Sequence, residues 1–145
     1  PEAVLGDLSK LTQPGYAHQY FVDGTPEVND AYLGGSWKSV LVGSLGASHK
    51  AYYALDISSP TNFTASNVLW EFNDSASPND MVYTVGAARI GRLPNGTWVA
   101  IFGNGYESTN GRAILYVVNL ANGSLGEKWV AVVHNRRYKQ AIELI

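Results

Sequence analysis

HQYFVDGTPEV at residues 18–28, WKSVLVGSLG at 37–46, KAYYALD at 50–56 and VLWEF at 68–72 form one unit, and the chain then repeats it. Phe21 returns as Tyr83, Gly24 as Gly86 and Val28 as Ile90, each 62 residues on. Trp37 returns as Trp98 after 61, Tyr53 as Tyr116 and Asp56 as Asn119 after 63, and Trp70 as Trp129 after 59. Landmarks that recur in order at nearly one period mark an internal repeat, whose units bury their apolar faces against one another.

Within the first unit the periodicity is that of strands. Residues 25–33 alternate, with Val28, Asp30 and Tyr32 on one face. Gly34-Gly35 offers a tight hairpin turn, because glycine reaches positive φ at no steric cost. Further strands are predicted at 37–43, 51–56 and 68–72, the last with Val68, Trp70 and Phe72 on one face. The second unit predicts strands at 82–93, 97–103, 112–120 and around 128–133, with turns at Pro94-Asn95-Gly96 and Asn122-Gly123. Ahead of both units, Val4, Leu8 and Leu11 at i, i+4 and i+7 predict a short amphipathic helix ended by Pro14-Gly15.

The middle strands are apolar on both faces: VLV at 40–42, YYAL at 52–55, WVAIF at 98–102 and ILYVV at 114–118. A half-exposed sheet would alternate cleanly throughout. A sandwich is one alternative, but a four-stranded unit covered on both sides in its middle fits a propeller blade between two neighbours. The expected fold class is therefore all-β: a β-propeller fragment of about two four-stranded antiparallel blades with a short N-terminal helix. Residues 1–17 are read as helix and linker, 18–79 as the first blade, 80–133 as the second and 134–145 as a divergent tail. Propellers close with roughly four to eight blades, so a two-blade piece is expected to leave a broad apolar face at each end.

Composition narrows the function classes. The chain is 46% hydrophobic but only 15% charged, below the usual quarter or so, which suits a surface made to meet other protein. A net charge of −2 gives no basic face for nucleic acid; the basic run Arg136-Arg137-Tyr138-Lys139 reads as a solvated tail. With no cysteine, disulfides, thiolate zinc and a cysteine nucleophile are excluded. No apolar run is long enough to span a membrane. The chain begins at Pro1 without a visible signal peptide, and is expected to be a piece of a longer protein whose targeting signal lies upstream.

No catalytic constellation stands out. His18, His49 and His134 have no second ligand at metal-binding spacing. Asp23 is either a carboxylate at a propeller mouth or a turn residue bonding nearby amides. Asp56 and Asn119 end the third strand of each unit, and their recurrence favours a structural turn over catalysis. Gly24, Trp37, Asp56, Trp70, Gly86, Trp98 and Asn119 form the structural repeat set. The polar loop 104–111 lacks the phosphate cradle; Asn104, Tyr106, Glu107 and Asn110 are its candidate partner contacts. Asp74 and Asp80 flank a Ser/Pro/Asn loop without the dense ligand spacing calcium needs, so no metal site is expected.

HQYFVDGTP at 18–26, Gly34-Gly35, Trp37, LVGSLG at 41–46, YALD at 53–56, LWEF at 69–72 and IFGNGYESTNGRAILYVVNL at 101–120 together resemble the C-terminal propeller domain of the PilY1 family of type IV pilus tip-associated adhesins. The likeness covers nearly all of residues 4–124, including the LTQPGYAH that ends the predicted helix. It implies a modified seven-bladed propeller, exported through the periplasm to the pilus tip or cell surface. It implies no catalysis and no cofactor. The implied work is pilus assembly, twitching motility and adhesion, with minor pilins or other tip proteins, a host surface and the remaining blades as partners. The family's calcium loop, of DxDxDG type, has no counterpart in this chain. GEKWVAVVHNRRYKQAIELI at 126–145 departs from the family pattern. Two other functions compete. The YALD…LW repeats also resemble quinoprotein dehydrogenases, which bind pyrroloquinoline quinone and calcium, although no vicinal cysteine pair is present. A purely structural propeller scaffold is the third.

Overall fold

A computed structural model of the chain describes residues 1–76, 80–106 and 108–131. Among the described residues the strands are β1 Glu27–Leu33, β2 Ser36–Ser44, β3 Tyr52–Asp56, β4 Val68–Phe72, β5 Arg89–Arg92, β6 Trp98–Gly103, β7 Ala113–Asn119 and β8 Leu125–Ala131. They form two antiparallel sheets in simple sequence order, β1-β2-β3-β4 and β5-β6-β7-β8. Each sheet is a blade. Gly34 and Gly35 both take positive φ in the first hairpin, which fixes Leu33 opposite Ser36 and so sets the register of the whole β1–β2 pair.

The register decides which side chains meet. On β1 to β4, Ala31, Leu33, Val40, Val42, Tyr52, Ala54, Trp70 and Phe72 share one face. That face packs on Ile90, Ala100, Phe102, Ile114, Tyr116 and Val118 of the second blade in a single core. Aromatic rings fill its centre: Tyr52 stacks on Phe102 with centroids 3.9 Å apart, and Phe72 meets Phe102 and Tyr116 edge-on. At one margin the Trp70 indole N–H donates to the Leu120 carbonyl, 2.9 Å away. Trp70 also lies against Gly123, where a Cβ would fall 2.6 Å from the Trp70 Cβ. Trp37 and Trp98 meet edge-on near the hairpins, with centroids 6.1 Å apart.

The two blades do not present equivalent faces to each other. By the repeat, Val28 corresponds to Ile90, Leu41 to Phe102, Tyr53 to Tyr116 and Leu55 to Val118. In the second blade these positions build the shared core; in the first they lie on the opposite face. The packing is therefore head-to-tail, the heterologous kind that generates rings.

Three sequence expectations change. The N-terminal helix, Glu2–Thr12, is a 3₁₀ helix rather than an α-helix. With three residues per turn, Leu5, Leu8 and Leu11 fall on one row, and all three are exposed. Val4, Asp7 and Lys10 form another row; Val4 joins Leu45, Ala51, Phe21 and Tyr53, while Asp7 reaches His49 at 3.4 Å. The strand expected at 82–93 is confined to β5. The residues before it leave the sheet to form bridges Gly46↔Thr84 and Tyr83↔Tyr106, tying loops of both blades together. The last strand begins earlier than expected, at Leu125, and residues 132–133 lie outside the described residues.

The tryptophans at one repeat position separate burial from residue type. Trp70 is 6% exposed and Trp129 is 63% exposed. Trp70→Phe should cost about 1–3 kcal/mol, because it leaves the buried Leu120 carbonyl without its donor. Trp129→Phe should stay within about 0.5 kcal/mol of wild type. Urea unfolding midpoints of the two variants check this.

Candidate functional site

A buried charged cluster lies where the chain leads from β4 to the second blade. Lys128 sits on β8 opposite Tyr116, so its stem crosses that ring, with the ammonium 5.5 Å from the centroid. The ammonium contacts the Asp74 carboxylate directly and lies 3.1 Å from Asp80. Both aspartates are buried. The Tyr116 hydroxyl donates to Asp74 at 2.7 Å, and the Asn110 amide donates to Asp80 at 2.6 Å. Burial raises the Asp80 carboxyl, but bonds from Asn110 and Lys128 outweigh it and hold it below the usual carboxylate range. Burial likewise opposes the charge on Lys128, yet the two carboxylates keep its ammonium protonated to higher pH than usual. Burial, with Asp74 and Asp80 adding to it, pushes the Tyr116 hydroxyl up.

Beside this cluster is a cleft of about 560 Å³ between the helix, the β2–β3 loop and the end of β4. Ser48, His49, Lys50, Asn73, Asp74 and Met81 line it, with Ala3 and Ser75. Calcium, which the resemblance ties to a carboxylate-rich loop, does not fit here: Asp74 and Asp80 already share the Lys128 ammonium.

The loop singled out from sequence divides. Asn104 is fully buried, and its amide is spent inside: it donates to the Asp80 and Arg112 carbonyls and accepts from the Ile114 N–H. It staples the loop rather than offering a contact. Asn110 is exposed, yet its amide holds Asp80. Tyr106 faces solvent, and Glu107 lies outside the described residues. Asp23 accepts from the Ala47 N–H at 3.0 Å. Asp56 takes the Lys38 ammonium at 2.6 Å and both the N–H and hydroxyl of Ser58. Asn119 accepts from the Ala121 N–H. Gly24 leaves room for Ser44, whose Oγ a Cβ would meet at 1.9 Å, while Gly86 supplies the carbonyl that takes the Tyr52 hydroxyl at 2.9 Å. His18 stacks edge-on against Tyr20. His134, the run 136–139 and the tail 134–145 lie outside the described residues. Sequence reading missed Lys128 as the partner of Asp74 and Asp80; its one signal was a charge on the strand opposite Tyr116.

Comparison with known proteins bears on the whole arrangement. The family described as the PilY1 beta-propeller domain matches residues 2–136. Over 128 residues the chain is 56% identical to a type IV pilus biogenesis factor PilY1 homolog of Xylella fastidiosa, covering 88% of this chain and 9% of that protein. Over 131 residues it is 43% identical to the type IV pilus biogenesis factor PilY1 of Pseudomonas aeruginosa, covering 88% of this chain and 11% of that protein. The crystal structure of the Pseudomonas aeruginosa PilY1 C-terminal domain superposes with a TM-score of 0.75 at 34% identity, covering 96% of this chain and 26% of that one. The two sheets are thus blades of a β-propeller, and the chain spans about a tenth of the length of the curated relatives it matches.

Two outcomes follow from the charges. Lys128→Met strands two buried carboxylates and should destabilise the fold by about 3–5 kcal/mol, with much of the loss recovered when Asp74→Asn and Asp80→Asn are added; thermal melts of the single and triple variants decide it. At Asp56, bonds from Lys38 and then Ser58 lower the carboxyl from 3.8 to about 2. The stabilisation is full above the unfolded value and is lost as pH falls from about 4 through about 2. Urea midpoints between those limits should fall more steeply for wild type than for Asp56→Asn.

Proposed function

The chain belongs to the PilY1 beta-propeller family, and from that membership we propose that it is a two-blade, non-catalytic segment of a type IV pilus biogenesis factor, acting through contacts with other proteins. The family match across residues 2–136 carries this reading. Relatives at 56% and 43% identity are named for pilus biogenesis, and the quinoprotein alternative has no such support. In this reading the longer protein stands at the cell surface or pilus tip, meets minor pilins or other tip proteins, and aids pilus assembly, twitching motility and attachment, including to a host surface. The chain itself brings no calcium or other cofactor to that work. Its physical contribution is a rigid pair of blades, and the exposed Tyr106 beside the internally stapled Asn104 is the side chain best placed for contact. An exposed aromatic on a fixed backbone offers contact area at little entropic cost.

The test is an exchange. In Pseudomonas aeruginosa lacking its own PilY1, a PilY1 whose matching segment is replaced by residues 2–131 of this chain should restore surface pili and twitching zones. Tyr106→Ala in that chimera should lower attachment several-fold while piliation stays unchanged. A chimera that is exported and protease-resistant yet yields no pili overturns the proposal.

A further inference from the structure

Lys128 brings a primary amine into direct contact with the Asp74 carboxylate at a site that water reaches poorly: the Asp74 and Asp80 side chains are each 3% exposed and that of Lys128 is 21% exposed. An amine and a carboxylic acid condense to an amide by losing water. Fixing the two groups side by side in a fold can give an effective concentration of about 10⁵–10⁸ M. The neighbours suit that reaction. Asp80 has one oxygen 3.1 Å from the amine and the other held by the Asn110 amide, so a second carboxylate is positioned to carry a proton. The Tyr116 hydroxyl donates at 2.7 Å to the Asp74 oxygen that faces Lys128, where negative charge would gather as the amine adds. Burial is the largest influence on both Asp80 and Lys128, and in each it opposes the charge, which favours proton transfer within the group. The other lysine–aspartate pairs among the described residues, Lys38–Asp56 and Lys10–Asp7, are more exposed, and neither lysine meets a second carboxylate.

We propose that Lys128 and Asp74 join covalently after folding, through an amide between their side chains. The Lys128 ammonium first passes a proton to Asp74, leaving a neutral amine beside a carboxylic acid. The nitrogen lone pair then attacks the Asp74 Cγ. Asp80 takes a proton from that nitrogen and returns it to the Asp74 hydroxyl, which leaves as water. A C–N bond forms, a C–O bond breaks, Asp80 ends as the carboxylate it began as, and nothing is oxidised or reduced. The new amide keeps an N–H beside Asp80, so that buried carboxylate retains a donor. The link ties β8, at the edge of its sheet, to the connection between β4 and β5, across 54 positions of sequence.

Intact-mass spectrometry of the full chain, purified folded and then denatured, tests this. Wild type should be lighter than its sequence by one water, and digestion should give a branched peptide holding both Lys128 and Asp74. Lys128→Arg keeps the cation between the carboxylates but has no amine to acylate, so it should show the full sequence mass. Asp80→Asn keeps both reacting groups and removes the proton carrier. Folded chains of this variant, identified by wild-type circular dichroism, should be recovered mostly unlinked, since a positioned proton carrier is worth about 10²–10⁴-fold in rate. Wild type at full sequence mass overturns the proposal. So does a missing water that persists in Lys128→Arg, or that maps to a cyclised aspartate or to a branch between other residues. A folded Asp80→Asn chain linked as fully as wild type overturns the proton transfer through Asp80.

Discussion

Everything in this molecule depends on one apolar contact, the seam where the first sheet lies on the second. Neither four-stranded sheet buries its seam face without the other. Tyr52, Phe72, Phe102 and Tyr116 interlock across the gap, and burying each large side chain contributes about 1.5–3 kcal/mol. The polar groups at this seam are matched as well. The Tyr52 hydroxyl reaches the Gly86 carbonyl and the Trp70 indole reaches the Leu120 carbonyl, so the aromatic rings enter the core without stranding a donor. These two bonds also fix the blades' relative position, which apolar contact alone, being non-directional, would leave loose.

A second, polar layer closes the end of the seam. The chain passes from β4 to β5, the first strand of the next blade, and both Asp74 and Asp80 lie in that connection. Lys128 comes from the far edge of the second blade and joins both carboxylates, while Tyr116 and Asn110 satisfy further lone pairs. Buried charges persist only when paired and hydrogen-bonded. The cluster thereby couples the crossing to the sheet it leads into, and the Asn104 staple anchors the neighbouring loop to the same Asp80 segment. The cleft beside them inherits a rigid wall on this side.

The strands and hairpins were legible in the chain because their causes are local. Gly34-Gly35 dictates a tight turn, Val68 to Phe72 alternates with period two, and the tryptophan spacing announces the repeat. The helix type was less legible. Val4, Leu8 and Leu11 satisfy an α-helical stripe, but the same segment wound at three residues per turn puts Asp7 toward His49 and Leu8 toward solvent. The loop at 104–111 stood out because it is polar and glycine-rich, a composition that fits an ordinary loop with two turns as well as a contact surface. Only the chain's crossing partners show that Asn104 faces inward.

Residue type and spacing by themselves determined the all-β class, two repeated four-stranded units, the family resemblance and the lack of thiol chemistry, since each follows from composition or from contacts within a few residues. Tertiary structure alone decided which face of each blade is buried, because both faces of the middle strands are apolar and only the stacking of one sheet on the next breaks the tie. It alone brought Lys128 to Asp74 and Asp80, residues 54 and 48 positions away. It also gave Trp70 and Trp129, identical residues at one repeat position, opposite fates: one has a neighbouring blade to cover it and the other faces solvent.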